Sequence, residues 1–488
     1  MSIRQKALSG LAWSFIDSLT SQGVNFLIGI VLARLLGPKE FGLIGMTVIF
    51  VAISQTFIDS GFGQALIRKS DCSQKDYSTV FFFNLAAGLF CFLLMFLLAE
   101  PIGQFFREPK LPWLIRVLSF NIVISSTCAI QYTILMKNVD FRRKAYISGA
   151  AAAISGISSI ILAYRGWGVW SLVWQQICQN LVTAFLLWLS SKWRPLMLFD
   201  KGSFREMFGF GSKILISNLI DTIYRNVYYL VIGKYFAASE LGQYTRADVF
   251  KKIPSENLSS IVGRVGYPVL AMVKDDPIRL KAGYKKLIKS TMLISFILMI
   301  GMAASARAMV LFLVGDKWLP SVIYLQMLCF VGMLYPIQAL NLDMVNVKGR
   351  SDLFLKLEII KKTLAVPTII LGIIFGIKVM IAGMMVNSLI AYYINSYWSG
   401  KMADYPMPEQ VKDITPSLLL ALGMGAAVYI LGRFLPLQPA AVFIIQVSAG
   451  AAITVAAANM FRLDAYLEMQ EIVKNQWKRM KFDTPFTR

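Results

Sequence analysis

One pair of successive long apolar stretches carries the ionisable residues Lys213, Asp221, Arg225, Arg246, Asp248, Lys251, Lys252 and Arg264. A charge is expensive within a hydrocarbon layer, so such groups face a protein interior or a water-filled cavity. Most of them are Lys or Arg, whose charge-assisted hydrogen bonds suit an anion, and phosphate above all. Asp221/Arg225 and Asp248/Lys252 are spaced i,i+4, and Lys251 stands at i+3 from Asp248, so Lys251 and Lys252 compete for one acid. Glu358/Lys362 repeats the i,i+4 spacing further along. Arg246 and Arg264 have no acid at i±3 or i±4, and their separation is about five whole helical turns, which puts them on one face of an unbroken helix. These two are the first candidates to contact an anion, with Arg225, Lys251, Lys252 and Lys213 completing the set. Lys213 and Arg264 also stand near enough to a span boundary to snorkel. Four acids, Asp17, Asp59, Asp221 and Asp248, are candidates to take up a coupling proton or sodium ion, or to pair with a cation of the opposite lobe. Tyr224, Tyr228, Tyr229 and Tyr244 can stack on sugar rings or serve as helix packing.

The elements that position these residues are announced by a weak internal repeat. Arg34-Leu35-Leu36-Gly37-Pro38-Lys39-Glu40-Phe41-Gly42 finds a counterpart in Lys234-Tyr235-Phe236-Ala237-Ala238-Ser239-Glu240-Leu241-Gly242. The same register pairs Val31/Val231, Phe50/Phe250, Ile53/Ile253, Ser60/Ser260 and Gly63/Gly263. Repeats of this kind mark two-lobed transporters. The register also exposes an asymmetry. Trp13, Ser21, Asn25, Met46, Val48, Val51, Ala52 and Gln64 are uncharged, and they are the counterparts of the eight ionisable residues above. The second half has turned its leading pair of helices into a mostly cationic surface, which is expected to line a hydrated cavity between the lobes.

Composition sets the class. Of 488 residues, 57% are hydrophobic and only 16% charged, against about 25% charged in a soluble domain. The mean hydropathy is +0.61. The chain reads as an all-α polytopic membrane protein. Its net charge of +22 resides mostly in short connectors, where topology places Lys and Arg, so no nucleic-acid partner is expected. Histidine is absent and the five cysteines are scattered. That removes histidine acid–base chemistry, histidine metal ligation and a disulfide framework, and neither a cofactor nor a metal is expected. No GxxxxGK[ST] loop is found, which disfavours an ATP-driven exporter.

Windows of about 20 residues yield about 14 transmembrane helices, the first at 10–34 and the last at 438–461. With the N-terminus in the cytoplasm, the cytoplasmic connectors hold about 29 Lys and Arg against about 9 outside, and both termini are cytoplasmic. The expected organisation is an N-terminal six-helix lobe at 1–200 and a C-terminal six-helix lobe at 201–400, related by a parallel pseudo-two-fold repeat. Two extra C-terminal helices at 401–461 and a basic amphipathic cytoplasmic tail at 462–488 complete it. From the start, Met1 to Lys6, no removable signal peptide is expected. The glycines of Asp59-Ser60-Gly61-Phe62-Gly63 predict a bend or close helix packing, and Pro254, Pro336 and Pro367 predict kinks.

Leu32 through Gly42, followed by Asp59-Ser60-Gly61-Phe62-Gly63-Gln64-Ala65-Leu66-Ile67, resembles the Wzx-type polysaccharide flippases of the multidrug/oligosaccharidyl-lipid/polysaccharide exporter superfamily. The resemblance implies a bacterial inner-membrane flippase for undecaprenyl-diphosphate-linked glycan repeat units, working by alternating access. A cationic central cavity would receive the diphosphate and sugars while the lipid tail stays in the bilayer. A lipid-linked peptidoglycan precursor flippase and a drug or organic-cation antiporter of the same superfamily are the nearest alternatives. The second of these would need an acidic cavity. A membrane-embedded glycan polymerase or ligase is the alternative of a different class, and the short connectors offer it no surface domain for chemistry.

Overall fold

The computed structural model describes residues 20, 22–59 and 61–470. Asp17 and the tail beyond residue 470 lie outside that range. The described chain consists of helices joined by short connectors, with no strand. The helices are α1 (Gln22–Leu35), α2 (Pro38–Asp59), α3 (Phe62–Arg68), α4 (Gln74–Phe106), α5 (Leu111–Lys137), α6 (Phe141–Tyr164), α7 (Val169–Ser190) and α8 (Lys201–Tyr235). Then follow α9 (Ala238–Met272), α10 (Pro277–Leu313), α11 (Ser321–Met333), α12 (Tyr335–Val347), α13 (Ser351–Phe375), α14 (Ile377–Ala403), α15 (Met407–Phe434) and α16 (Pro439–Met460).

Among the described residues, ten helical stretches are long and apolar enough to cross a membrane, with α2–α3 and α11–α12 each counted as one. The charged helices α8, α9 and α13 are not among the ten, although all three have the length. Their charges lower the hydropathy, as expected of helices that show a polar face to something other than lipid. The chain is thus an all-helical, multi-pass membrane protein.

The chain divides into two compact units, at Thr245/Arg246. In the first, α4 packs along α5, α6 along α7, and α2 along α8. In the second, α10 is flanked by α11, α15 and α16, α13 packs on α14, and α12 on α14. The sequence places a boundary at 200/201, ahead of α8. The structure keeps α8 with the first unit because its length lies against α2.

The two copies of the repeat motif meet at the head of α2 and α9. A Cβ on Gly42 would stand 1.6 Å from the Ala238 carbonyl oxygen, and one on Gly242 would stand 1.8 Å from the Pro38 carbonyl oxygen. Ala238 is the register counterpart of Pro38, so the contact is reciprocal. Only glycine permits backbones to approach this closely.

The expected bend is present where α2 stops at Asp59 and α3 begins at Phe62. Gly61 sits at φ 70°, and a Cβ there would meet the Gly211 carbonyl oxygen at 2.6 Å, so both conformation and space demand glycine. Pro336 occupies the first turn of α12, where its missing N–H costs nothing, and separates α12 from α11. Pro254 and Pro268 lie inside α9 and Pro367 inside α13.

The start of α4 is a capping box: the Ser73 hydroxyl accepts from the Asp76 N–H, and the Asp76 carboxylate accepts from the Ser73 N–H at 2.8 Å. Ser73→Ala is expected to cost about 1 kcal/mol, read as a lower thermal midpoint in detergent. A midpoint equal to that of the parent would show that the Lys69–Asp76 ion pair at 3.2 Å already holds this turn.

Candidate functional site

The cations singled out by sequence sit on α8 and α9, and each helix is set in place by its own end. On α8, Asp200 caps the N-terminus by accepting from the Ser203 N–H at 2.7 Å, a bond that holds its carboxyl below the usual carboxylate range. Deeper in the first unit, the Thr56 and Thr222 hydroxyls meet at 3.0 Å and tie α8 to α2. Lys213 is exposed. Arg225 Nε donates to Asp221 Oδ2 at 2.7 Å with both side chains exposed, so the i,i+4 pair forms as spaced. The side chain of Asp59 is exposed on α2 and accepts from Gln55 Nε2 at 3.2 Å.

On α9, within the second unit, Asp248 is almost fully buried and engages both lysines. Lys251 Nζ lies 2.8 Å from its Oδ1 and Lys252 Nζ 2.8 Å from its Oδ2. The two lysines therefore do not compete, because a carboxylate has two oxygens to offer. The triad keeps one net positive charge, and Lys252 is its more exposed end. The Lys251 stem lies over Gly332 of α11, where a Cβ would come within 2.9 Å of its Cγ.

Arg246 and Arg264 have different surroundings. Arg246 is buried, with its guanidinium 5.2 Å from the Trp318 ring and 5.9 Å from the Phe250 ring. Trp318 itself has no exposed surface, so this cation–π contact is part of a packed layer. Arg264 is exposed and bonds the Ser260 hydroxyl from Nε at 3.2 Å and from Nη2 at 2.6 Å. Tyr229 and Tyr244 are buried edge to face, 5.9 Å apart, in the first unit, which is a packing role.

Two further positions were read otherwise in the sequence. Glu358 takes Lys361 at i+3, a closer partner on its helix face than Lys362 at i+4. Lys137, which sequence treats only as a topology charge, donates to the carbonyls of Leu66 at 3.2 Å and Lys69 at 2.6 Å and so closes the C-terminal end of α3. The sequence reading passed over Asp343 of α12, whose only signal is a single acid in an otherwise apolar span. Among the described residues no group of three His, Cys, Asp or Glu side chains is placed to hold a metal ion.

The arrangement suits an anionic ligand. Within each unit taken by itself, ammonium and guanidinium groups offer charge-assisted hydrogen bonds: Lys213 and Arg225 beside Asp221 on α8, and Lys251, Lys252 and Arg264 beside Asp248 on α9.

The fold is that of known multi-pass transporters. It resembles the lipid II flippase MurJ in its inward closed conformation, with a TM-score of 0.76 at 16% identity, covering 92% of this chain and 99% of that one. It also resembles the inward-facing form of a multidrug resistance MATE family transporter of the MOP superfamily, with a TM-score of 0.61 at 14% identity over 80% of this chain and 98% of that one. Residues 31–323 match the polysaccharide biosynthesis protein family, and the chain belongs to that family. Similar proteins include the lipopolysaccharide biosynthesis protein WzxC of Escherichia coli (strain K12), 25% identical over 81% of this chain and 82% of that protein. The teichuronic acid biosynthesis protein TuaB of Bacillus subtilis (strain 168) is 26% identical over 72% of this chain and 73% of its own length.

Proposed function

We propose that this protein is a flippase that moves undecaprenyl-diphosphate-linked polysaccharide repeat units across the bacterial cytoplasmic membrane by alternating access. The observation that carries the reading is the set of cations on α8 and α9, within a chain of the polysaccharide biosynthesis family. A diphosphate is the part of such a substrate that cannot enter hydrocarbon unaided, and Lys and Arg are the residues that bind it. In this reading Arg225, Lys252, Arg264 and Lys213 contact the head group. Lys251 and Arg246 hold the surface behind them, and the lipid tail remains in the bilayer. Both termini face the cytoplasm.

Deletion of the gene tests the assignment. Glycan repeat units are expected to remain on carrier lipid at the inner leaflet, inaccessible to a membrane-impermeant glycosidase added outside intact spheroplasts. Normal accessibility in the deletion strain sinks the transport reading. Arg225→Ala is expected to slow translocation several-fold with no change in protein abundance, because the exposed Asp221–Arg225 pair contributes about 0–1 kcal/mol to folding. Unchanged translocation in that variant removes Arg225 from the head-group set.

A further inference from the structure

We propose that Asp343 of α12 is a proton-binding site of the second unit, a reading that rests on the transport function proposed above and supplies it with a coupling group. Asp343 stands one turn before the end of the span Ser321–Val347 and is half-buried. Among the described residues its carboxylate has neither a hydrogen bond nor an ion pair. The other described acids singled out above are engaged: Asp221 by Arg225, Asp248 by Lys251 and Lys252, and Asp59 by Gln55.

Most of the charged and titratable groups on the helices around α12 have other partners. On α9, Gly263 faces the carboxyl, since a Cβ there would lie 3.6 Å from Asp343 Oδ2, and the adjacent Arg264 is turned to Ser260. On α10, the Tyr284 hydroxyl donates to Asn341, while Lys281 and Lys285 bind Glu409, and Lys285 also binds Asp413. On α14, Lys401 donates to the Tyr397 hydroxyl at 2.6 Å, and the Tyr392 hydroxyl is buried without a partner. On α13, Asp352 is held by Arg350 and Glu358 by Lys361, and Lys356 is exposed. The helix α11 carries no charged side chain.

The repeat register sharpens the point. Gly63, the counterpart of Gly263, faces α5, where a Cβ would meet the Thr133 hydroxyl at 3.2 Å. That hydroxyl is satisfied by the Ala129 carbonyl at 2.9 Å. The same glycine contact is therefore neutral and self-satisfied in the first unit, and ionisable and unsatisfied in the second. A carboxylate without a donor or cation in a span is costly, and protonation removes that cost. When the site closes, the Asp343 carboxylate takes a proton from the water of the side it last faced and enters the dry state neutral; when it opens to the other side, the proton leaves for the water there. Transport that alternately wets and dries this site moves one proton per cycle.

Two measurements on the full-length protein in liposomes test this. In infrared difference spectra titrated with pH, the carbonyl band of a protonated carboxyl is expected to appear in the parent protein and to vanish in Asp343→Asn. In a translocation assay with a lipid-linked oligosaccharide, an imposed pH gradient is expected to accelerate the parent. Asp343→Asn is expected to lose that response, and Asp343→Glu to retain it. Persistence of the band in Asp343→Asn overturns the proposal, as does an undiminished gradient response. A response to sodium at constant pH that Asp343→Asn abolishes overturns the choice of proton. If the parent shows the titrating band yet translocates nothing, the proton site stands and the flippase reading falls. Asp343→Thr, which copies the first unit's arrangement, serves where the asparagine variant folds poorly.

Discussion

Gly42→Ala and Gly242→Ala will each destabilise the protein by about 3 kcal/mol or more, by similar amounts, measured as thermal midpoints in detergent. The added Cβ would lie 1.6 Å or 1.8 Å from a carbonyl oxygen, where a close C–H···O contact needs about 3.3 Å. The obstacle is backbone in both cases, so no side-chain rotation relieves it. The heads of α2 and α9 must move apart by about 1.5 Å or more, and the packing beneath them moves too. A Cβ on Gly45 would stand 3.1 Å from Leu241 and Thr245, and one on Gly233 would stand 3.0 Å from Met46 and Phe106, so that packing is already tight. Gly423 in α15, with open space at its Cβ, is the control, and alanine there is expected to be neutral or stabilising by about 0.5–1 kcal/mol. Equal midpoints for Gly42→Ala and Gly423→Ala would show that the contact is loose in the membrane-embedded protein.

Asp248→Ala is expected to cost about 3–5 kcal/mol, since it leaves Lys251 and Lys252 close together with no acid between them. The double variant Asp248→Leu/Lys251→Met will recover most of that loss, because an apolar pair of similar volume replaces a buried ion pair at little net cost. Lys252→Met will leave the Asp248–Lys251 pair intact and cost about 1 kcal/mol or less, yet slow translocation, because it removes the exposed positive end of the triad. A thermal loss for Lys252→Met as large as that for Asp248→Ala would assign Lys252 to folding rather than to the head group. Additive losses in the double variant would show that Asp248 and Lys251 act independently.

The local pairings were legible because helical spacing is a local property. Asp221/Arg225 forms at i,i+4 as spaced, and Asp248 reaches both Lys251 and Lys252. The bend at Gly61 was legible for the same reason, since glycine weakens a helix locally and admits the left-handed conformation that ends one. The shared face of Arg246 and Arg264 was inferred from phase alone. Phase does not say what packs against either residue, and Trp318, which covers Arg246, is distant in sequence. A lone acid such as Asp343 has no partner spacing by which the sequence could mark it.

The sequence by itself determined the membrane class, the all-helical fold and the ion pairs within a helix. Each of these depends on composition or on contacts between residues three or four apart. Only the tertiary structure decided that α8 belongs with α2, and that Gly42 and Gly242 press on each other's motifs. It alone showed Arg246 lying under Trp318, and Gly263 opening onto an unpaired carboxyl. Those outcomes depend on which helices become neighbours. That choice is made by packing over the whole chain, where the removal of one Cβ or the burial of one ring outweighs local spacing.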